Sequence, residues 1–307
     1  MIEKIKKMIS DPLYAQYVWR RIYLKLLGTE KVFAHKSEFR SDSENGEYGA
    51  AVMKALESQK YFDNFKRNPE YQAILEHVNR DDGEKYLNIT LSRNDGLFDL
   101  ALKTSCRADD VGNPIKYKYP DIAEALSPNT LRYIKVSSDL SGLFGREFKS
   151  IAEIGCGYGG QALVNDQLLS VNLATLFDLP FVNELIKKYL NSMLLNGAYR
   201  VRAINESCPE PYDLVISNYA FSELPSILQR TYIKKVMAGA KRGYLTMNSG
   251  LGGERSEGKL TLKQLEELLP PFEIFEEEPL TAPHNYIIVW GHNGDFASKY
   301  MKQKKLD

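Results

Sequence analysis

Cysteine is scarce, with only Cys106, Cys156 and Cys208 in 307 residues. Three scattered thiols make neither a disulfide framework nor a zinc site, and they suit a reducing compartment. No charge of one sign is in excess, because Lys plus Arg and Asp plus Glu both number 40. No global field therefore draws the protein to nucleic acid or to a membrane surface. No run approaches the roughly 20 apolar residues that span a bilayer. Met1–Leu27 mixes Lys4, Lys6, Lys7, Arg20 and Arg21 with apolar residues, so it lacks the core of a signal peptide. A soluble, cytoplasmic protein is the expectation. No cluster of Asp, Glu and His has a metal-binding spacing; Asp109-Asp110 reads as solvated. The oligomeric state is not legible.

The two halves of the chain differ in texture. The pattern of residues 1–149 reads as mainly helical, and the stretch is rich in tyrosine and charge. Gly49–Phe65 and Pro69–Val78 read as amphipathic helices, the second with proline in its first turn. Ser41–Gly46 reads as a polar linker and Asp109–Tyr119 as a loop too polar for the core. Ser127-Pro128 starts a further helix toward Leu143, with Leu131 and Ile134 inward and Arg132 and Lys135 outward. From Ser150 short apolar runs alternate with helical ones, the pattern of a parallel sheet with crossover helices. Strands are predicted at 151–154, 172–177, 200–204, 212–217, 243–247, 272–276 and 286–290. Helices are predicted at 160–169, 181–195, 225–240 and 261–269, with Asn196-Gly197 as a C-cap and Thr261 with Gln264 as a capping box. The last two strands lack a helical connection and are expected to be antiparallel neighbours. Lys299, Lys302, Lys304 and Lys305 make residues 296–307 a basic, solvated tail.

The most informative stretch is Ile151–Gln161, a short strand that ends in Glu153 and Ile154 and runs into four glycines within six residues. A backbone needs such glycine density where it turns sharply and where a ligand presses on the main chain. The helix that follows offers unpaired N–H groups to the same turn. Gly155-x-Gly157-x-x-Gly160 also satisfies the dinucleotide fingerprint, so NAD is a candidate. Asp178, 23 residues after Gly155, sits where a carboxylate accepts bonds from both ribose hydroxyls of either cofactor. Glu153 favours a ligand with a cationic amino acid moiety over a pyrophosphate. From residue 150 the chain also shows one glycine-rich turn and no second mononucleotide half of the usual kind. Tyr158 and Gln161 either touch the cofactor or pack over the loop.

EIGCGYGGQ (153–161), Phe177-Asp178-Leu179-Pro180 and DLVISNYAFSEL (213–224) resemble a class I S-adenosylmethionine-dependent methyltransferase. With Asn113-Pro114 and Ser127–Tyr133 upstream, they are similar more narrowly to the putative sugar O-methyltransferase family. Cys156 stands where that family's motif has glycine. The resemblance implies an α/β fold, a Rossmann-like seven-stranded methyltransferase sheet with the last strand antiparallel, behind a mainly helical N-terminal extension. Residues 150–295 then form the S-adenosylmethionine-binding domain, and residues 1–149 the acceptor pocket or lid. Gly155, Gly157 and Gly159 are implied to lie against the cofactor, and Glu153 to reach its amino acid end. Asp178 is implied to take the ribose, Leu179 to cover the adenine, and Asn205 or Glu206 to approach the adenine amino group. Ser217 and Asn218 are implied to line the sulfonium end.

The expected activity is methyl transfer from S-adenosyl-L-methionine to a hydroxyl of a small-molecule or glycan acceptor, with neither nucleic acid nor membrane as partner. Glu223, just past the fourth strand, and His284, before the last, are the candidate bases. His77 and His292 read as surface residues, and His35 lies in a linker. Tyr117, Tyr119, Tyr133 and Tyr219 fall near the expected active face. Asn248–Gly253 is flexible enough for a lid. The rival readings are an NAD-dependent oxidoreductase and a non-catalytic cofactor-binding protein.

Overall fold

The computed structural model describes residues 46–73, 75, 78–120, 122–206, 211–251 and 256–305. The readings of Met1–Leu27, His35, Ser41–Asn45, His77 and Cys208 lie outside these residues. Among the described residues the helical half opens with α1 (Gly46–Glu57), followed by short helical turns at Gln59–Phe62, Phe65–Arg67 and Pro69–Gln72. The expected continuous helix over Gly49–Phe65 is thus broken, because Ser58 takes an extended backbone. Next come α2 (Arg80–Arg93), α3 (Leu97–Thr104) and α4 (Pro128–Phe144). The Asn79 side chain caps α2 on the Asp82 N–H at 2.9 Å. Ser127 caps α4 and Pro128 opens it, as the sequence indicates.

Arg132 and Lys135 are not outward: they are 8% and 4% exposed. Helix α4 is wrapped by α2 on one side and the sheet on the other, so it has no solvent face on which a charge can rest. Lys135 is neutralised by Asp139, which also takes Arg93 from α2 and the Tyr244 hydroxyl from the sheet. Asp109 is likewise buried rather than solvated. Its carboxylate accepts the Ser127 N–H at 2.7 Å, the Ser127 hydroxyl at 2.8 Å and the Thr130 hydroxyl at 2.7 Å.

The second half runs β1 (Glu147–Ile154), α5 (Gly160–Leu168), β2 (Ser170–Phe177), α6 (Pro180–Asn191), β3 (Ala198–Arg202) and β4 (Leu214–Asn218). It continues with α7 (Ala220–Glu223), α8 (Ser226–Tyr232), β5 (Arg242–Met247), α9 (Leu262–Leu268), β6 (Glu273–Glu276), β7 (Tyr286–Trp290) and α10 (Gly294–Tyr300). The strands form one sheet in the order β3-β2-β1-β4-β5-β7-β6. All pairs are parallel except those of β7, which runs antiparallel to both β5 and β6. Alternation along the strands divides the core. Ile151, Leu214, Ile216 and Tyr244 face α4–α6 and the N-terminal helices. Ala152, Ile154, Val215 and Leu245 face α8 and α9.

One expected helix end differs and one is as expected. Helix α6 stops at Asn191, and Asn196-Gly197 is a docked loop rather than a cap. Both backbone N–H groups donate to the Asp166 carboxylate at 2.7 Å. A Cβ on Gly197 would lie 2.0 Å from the Val171 carbonyl oxygen, so this glycine serves close approach. The Thr261–Gln264 capping box is present at α9. The basic tail is not simply solvated: the Glu276 N–H donates to the Lys302 carbonyl at 2.7 Å and the Lys304 N–H to the Ile274 carbonyl at 3.0 Å. His292 also leaves the surface, its ring against Phe275 and its Nε2 3.0 Å from the Glu273 carboxylate. No described helix is long and apolar enough to cross a membrane.

Candidate functional site

Strand β1 delivers its carboxyl end into the glycine loop, and the loop's geometry explains its composition. Gly155, Gly157 and Gly159 have φ of +73°, +57° and +91°, the left-handed region that side chains disfavour. A Cβ on Gly155 would also sit 2.0 Å from the Ala220 Cβ, so α7 packs directly on this turn. The Gly155 N–H donates to the Phe177 carbonyl at 2.8 Å. The Cys156 thiol points down, donating to the Glu153 carbonyl at 3.2 Å. It serves the loop's underside, and burial raises its pKa.

Two carboxylates converge beneath and beside this loop. Glu153 is 3% exposed, and its Oε2 has no hydrogen-bond partner. Burial, reinforced by Asp178, pushes its carboxyl up to about 8. A cavity of about 20 Å³ adjoins it, lined also by Ala162, Asn165 and Leu176, enough for one water. Asp178 directly follows β2, and its oxygens accept the Gly157 N–H at 2.9 Å and the Leu179 N–H at 2.7 Å. Burial raises it to about 6, opposed by the N–H groups of Leu179, Gly157 and Cys156. Leu179 forms the N-cap position of α6 immediately beyond. Above the loop, the Leu75 side chain would contact a Gly157 Cβ at 3.0 Å. Leu75 is held there by the Asn129 amide, which donates to its carbonyl at 2.6 Å.

The structure thus brings together Glu153, Gly155, Gly157, Gly159, Asp178 and Leu179 at the carboxyl ends of β1 and β2. Asn218, at the end of β4, shares that edge, and its Oδ1 is buried without a partner. Other expected residues are turned to different tasks. Tyr158 is 2% exposed, its ring 4.9 Å from that of Tyr189, 5.5 Å from that of Phe65 and 4.2 Å from the Lys66 ammonium. Its ring is part of the aromatic core between the loop and the helical half. The Gln161 amide nitrogen lies 3.0–3.1 Å from Asn165 Oδ1, the Tyr133 carbonyl and the Ser137 hydroxyl, so it pins α5 to α4. The Ser217 hydroxyl donates to the Ile154 carbonyl at 2.8 Å and accepts the Phe221 N–H at 3.0 Å. It ties β1 to α7 rather than facing outward.

Glu206 folds onto its own turn, accepting the Ala203 N–H at 2.9 Å and pairing with Arg202 at 3.1 Å. Its neighbour Asn205 offers its carbonyl to Lys235 at 3.4 Å. The Glu223 carboxylate accepts from the Asn248 amide at 2.8 Å. His284 is exposed in the loop between β6 and β7.

A group less visible in the sequence lies at the same edge. Tyr219 directly follows β4 with φ +69°, a strained backbone for a bulky residue. Both ends are fixed: its N–H donates to the Thr246 carbonyl at 2.9 Å and its hydroxyl to Glu277. Tyr86 and Arg132 complete the group. Arg132 reads from helix periodicity as a surface residue, and Glu277 as part of a loop. Their only sequence signal is Tyr219, whose position after the fourth strand marks the active edge. Among the described residues no three His, Cys, Asp or Glu gather as a metal site.

A glycine loop after β1, an acid at the end of β2 and the β3-β2-β1-β4-β5-β7-β6 order with β7 reversed define a Rossmann-like sheet of the methyltransferase class. No family model matches the sequence, and no curated protein does. Among solved structures, a Pyrococcus horikoshii protein is similar at 12% identity and TM-score 0.42, over 57% of this chain and 94% of that one. The magnesium protoporphyrin IX methyltransferase from Synechocystis, crystallised with SAH, is similar at 14% identity and TM-score 0.39, over 52% and 80%. An N-methyltransferase from Bradyrhizobium japonicum is similar at 17% identity and TM-score 0.37, over 53% and 92%. The class rests on the sheet order itself rather than on these overlaps.

Proposed function

We propose that the protein is an S-adenosylmethionine-dependent O-methyltransferase acting on a hydroxyl of a sugar or glycan precursor. The observation that carries this reading is the buried, unpartnered Oε2 of Glu153 directly beneath a loop of three left-handed glycines. A buried carboxyl oxygen without a donor is costly, and an ammonium-bearing ligand, directly or through water, supplies the donor. The glycines supply the close backbone approach. Asp178 is the acceptor for ribose hydroxyls, Leu179 the apolar wall beside the adenine, and Asn218 the polar group toward the sulfonium. Glu206 reaches the adenine edge only if its turn rearranges, since its carboxylate is engaged locally, whereas Asn205 is tied only through its backbone carbonyl. When bound, S-adenosylmethionine supplies a methyl group on a sulfonium, an excellent leaving group.

The chain's own task is then alignment of the acceptor hydroxyl and removal of its proton. Glu223, in α7 at the carboxyl edge, is the first candidate base and His284 the second. An NAD-linked oxidoreductase is disfavoured by the β6–β7 hairpin, which occupies the place of a second mononucleotide half.

The test is calorimetric titration of S-adenosylhomocysteine and NAD, with methyl transfer from labelled cofactor to a panel of sugars. Asp178→Ala should lower S-adenosylhomocysteine affinity at least about tenfold, since each lost charge-assisted bond is worth roughly 1.5–3 kcal/mol. Binding of NAD in place of S-adenosylhomocysteine, or an unchanged affinity in folded Asp178→Ala protein, sinks the assignment.

A further inference from the structure

Arg132 carries a buried positive charge that no carboxylate among the described residues neutralises. It is 8% exposed, and its Nε–H is buried with no acceptor. Among the described residues no carboxylate forms an ion pair with it. The contrast on the same protein is plain, because Arg93 and Lys135, equally deep, both pair with Asp139.

The groups around Arg132 are phenols. Its guanidinium carbon lies 5.3 Å from the Tyr133 ring centre and 6.0 Å from that of Tyr219. The guanidinium also donates a hydrogen bond to the Tyr133 hydroxyl, and Tyr86 is a third near neighbour. At neutral pH these phenols are uncharged, because burial holds the hydroxyls of Tyr86 and Tyr219 well above their ordinary values. They solvate the guanidinium as dipoles and aromatic faces and leave its charge uncompensated.

The carboxylate at the end of this chain of hydroxyls is already saturated. Glu277 Oε1 accepts the Tyr219 hydroxyl, while Oε2 accepts the Thr281 N–H at 2.8 Å, the Thr281 hydroxyl at 2.7 Å and the Asn285 amide at 2.9 Å. Glu277 therefore fixes Tyr219 rather than neutralising Arg132. Tyr219 and Glu277 follow β4 and β6, so the guanidinium stands at the sheet edge that carries the glycine loop. A cation kept buried and unpaired at such an edge costs stability, and an arriving anion recovers it. A guanidinium fork matches two oxygens of a carboxylate or phosphate.

We propose that Arg132, oriented by Tyr133 and Tyr219, is the subsite for an anionic group on the acceptor, a carboxylate or a phosphate monoester. The proposal rests on the methyltransferase reading for what the anion belongs to; the subsite itself is argued from the unpaired charge alone. An acidic sugar or a sugar phosphate then fits where a neutral sugar does not.

The experiment titrates inorganic phosphate, glucuronate and neutral glucose into wild type, Arg132→Met and Arg132→Lys, after a separate titration of S-adenosylhomocysteine into each. Wild type should bind phosphate or glucuronate and prefer it to glucose, the two anions separating the phosphate source from the carboxylate. Arg132→Met should lower that affinity by about tenfold or more while S-adenosylhomocysteine affinity stays within about threefold. Its melting temperature should equal or exceed that of wild type, since a merely structural arginine would lower it on removal. If Arg132→Met does not fold, Arg132→Lys, which keeps the charge and loses the fork, should still weaken the anion several-fold.

Equal binding of anions and glucose by wild type, or anion binding undiminished in the folded variants, overturns the subsite. Failure of wild type to bind S-adenosylhomocysteine, with anion binding intact, overturns the methyltransferase reading instead.

Discussion

Replacing Glu153 with Gln should make the protein more stable and its cofactor site worse. The wild-type carboxyl is 3% exposed and is pushed up to about 8, first by burial and then by the nearby Asp178 charge. In the unfolded chain it titrates near its ordinary value of 4.5. The folded pKa is the higher one, so this group's contribution is fully present below pH 4.5 and is lost as pH rises toward about 8. The loss is about 1.4 kcal/mol per pH unit. From pH 4.5 to pH 7 it reaches about 3 kcal/mol, comparable to the effect of a whole buried side chain.

Glutamine has the same length and never ionises. Glu153→Gln should therefore be close to wild type at pH 4.5 and more stable by up to about 3 kcal/mol at pH 7. Urea unfolding of both proteins at pH 4.5, 7 and 8.5 reads the gap directly, and the comparison cancels every titration they share. S-adenosylhomocysteine should bind the variant more weakly. Its binding to wild type at neutral pH should also release a proton, because an ammonium beside Glu153 favours the carboxylate. A gap that does not grow with pH, or a variant less stable than wild type at pH 7, refutes the reasoning.

Gly155→Ala should lose about 2 kcal/mol or more, from a left-handed backbone plus a Cβ 2.0 Å from the Ala220 methyl; an unchanged melting temperature would mean that α7 yields freely. Glu223→Gln and His284→Ala should each bind cofactor normally, and whichever residue is the base should lose roughly a hundredfold in turnover along with the acidic limb of the pH–rate profile. Activity within a few-fold of wild type in both variants moves the base elsewhere. Asp139→Ala should cost about 3–5 kcal/mol in denaturant unfolding, since it strands Arg93 and Lys135 as buried cations; a loss below about 1 kcal/mol would show that water reaches them. Burial raises the Asp139 carboxyl, but Lys135 and Arg93 more than offset this and hold it below its usual value. Its stabilising contribution is therefore complete above the ordinary carboxylate range and is lost as pH falls below it.

The central strands were legible because buried strands are continuous apolar runs, and all seven lie within two or three residues of their predicted positions, apart from the early start of β1. Glycines at positive φ were legible for the same local reason, as were the caps at Ser127 and Thr261. Helix α2 was not read at all. RDDGEKYLNITLSR has few apolar positions and a central glycine, and it is helical because Asn79 caps it and Tyr86 and Leu87 pack inward. Arg132 and Lys135 misled because periodicity assigns charge to water, whereas α4 is enclosed on every side. Tyr158 and Gln161 stay open between two roles in the sequence for a different reason. They lie beside the loop in sequence, but the turn aims them at the helical half, which proximity along the chain does not reveal. The Arg132–Tyr219–Glu277 group joins residues from α4, the turn after β4 and the turn after β6, and only the tertiary fold brings those together.

Residues 302–304 lie along the outer edge of β6, where the Lys302 carbonyl and the Lys304 N–H complete the backbone pairing that β7 begins on the other side. An unpaired strand edge is a template for any other chain with free N–H and C=O groups. During synthesis β6 emerges well before these residues, so its outer edge stays open until the segment after α10 arrives to occupy it. The basic stretch therefore acts as an intramolecular competitor for that edge, and its lysines add a like-charge barrier against a second copy pairing there.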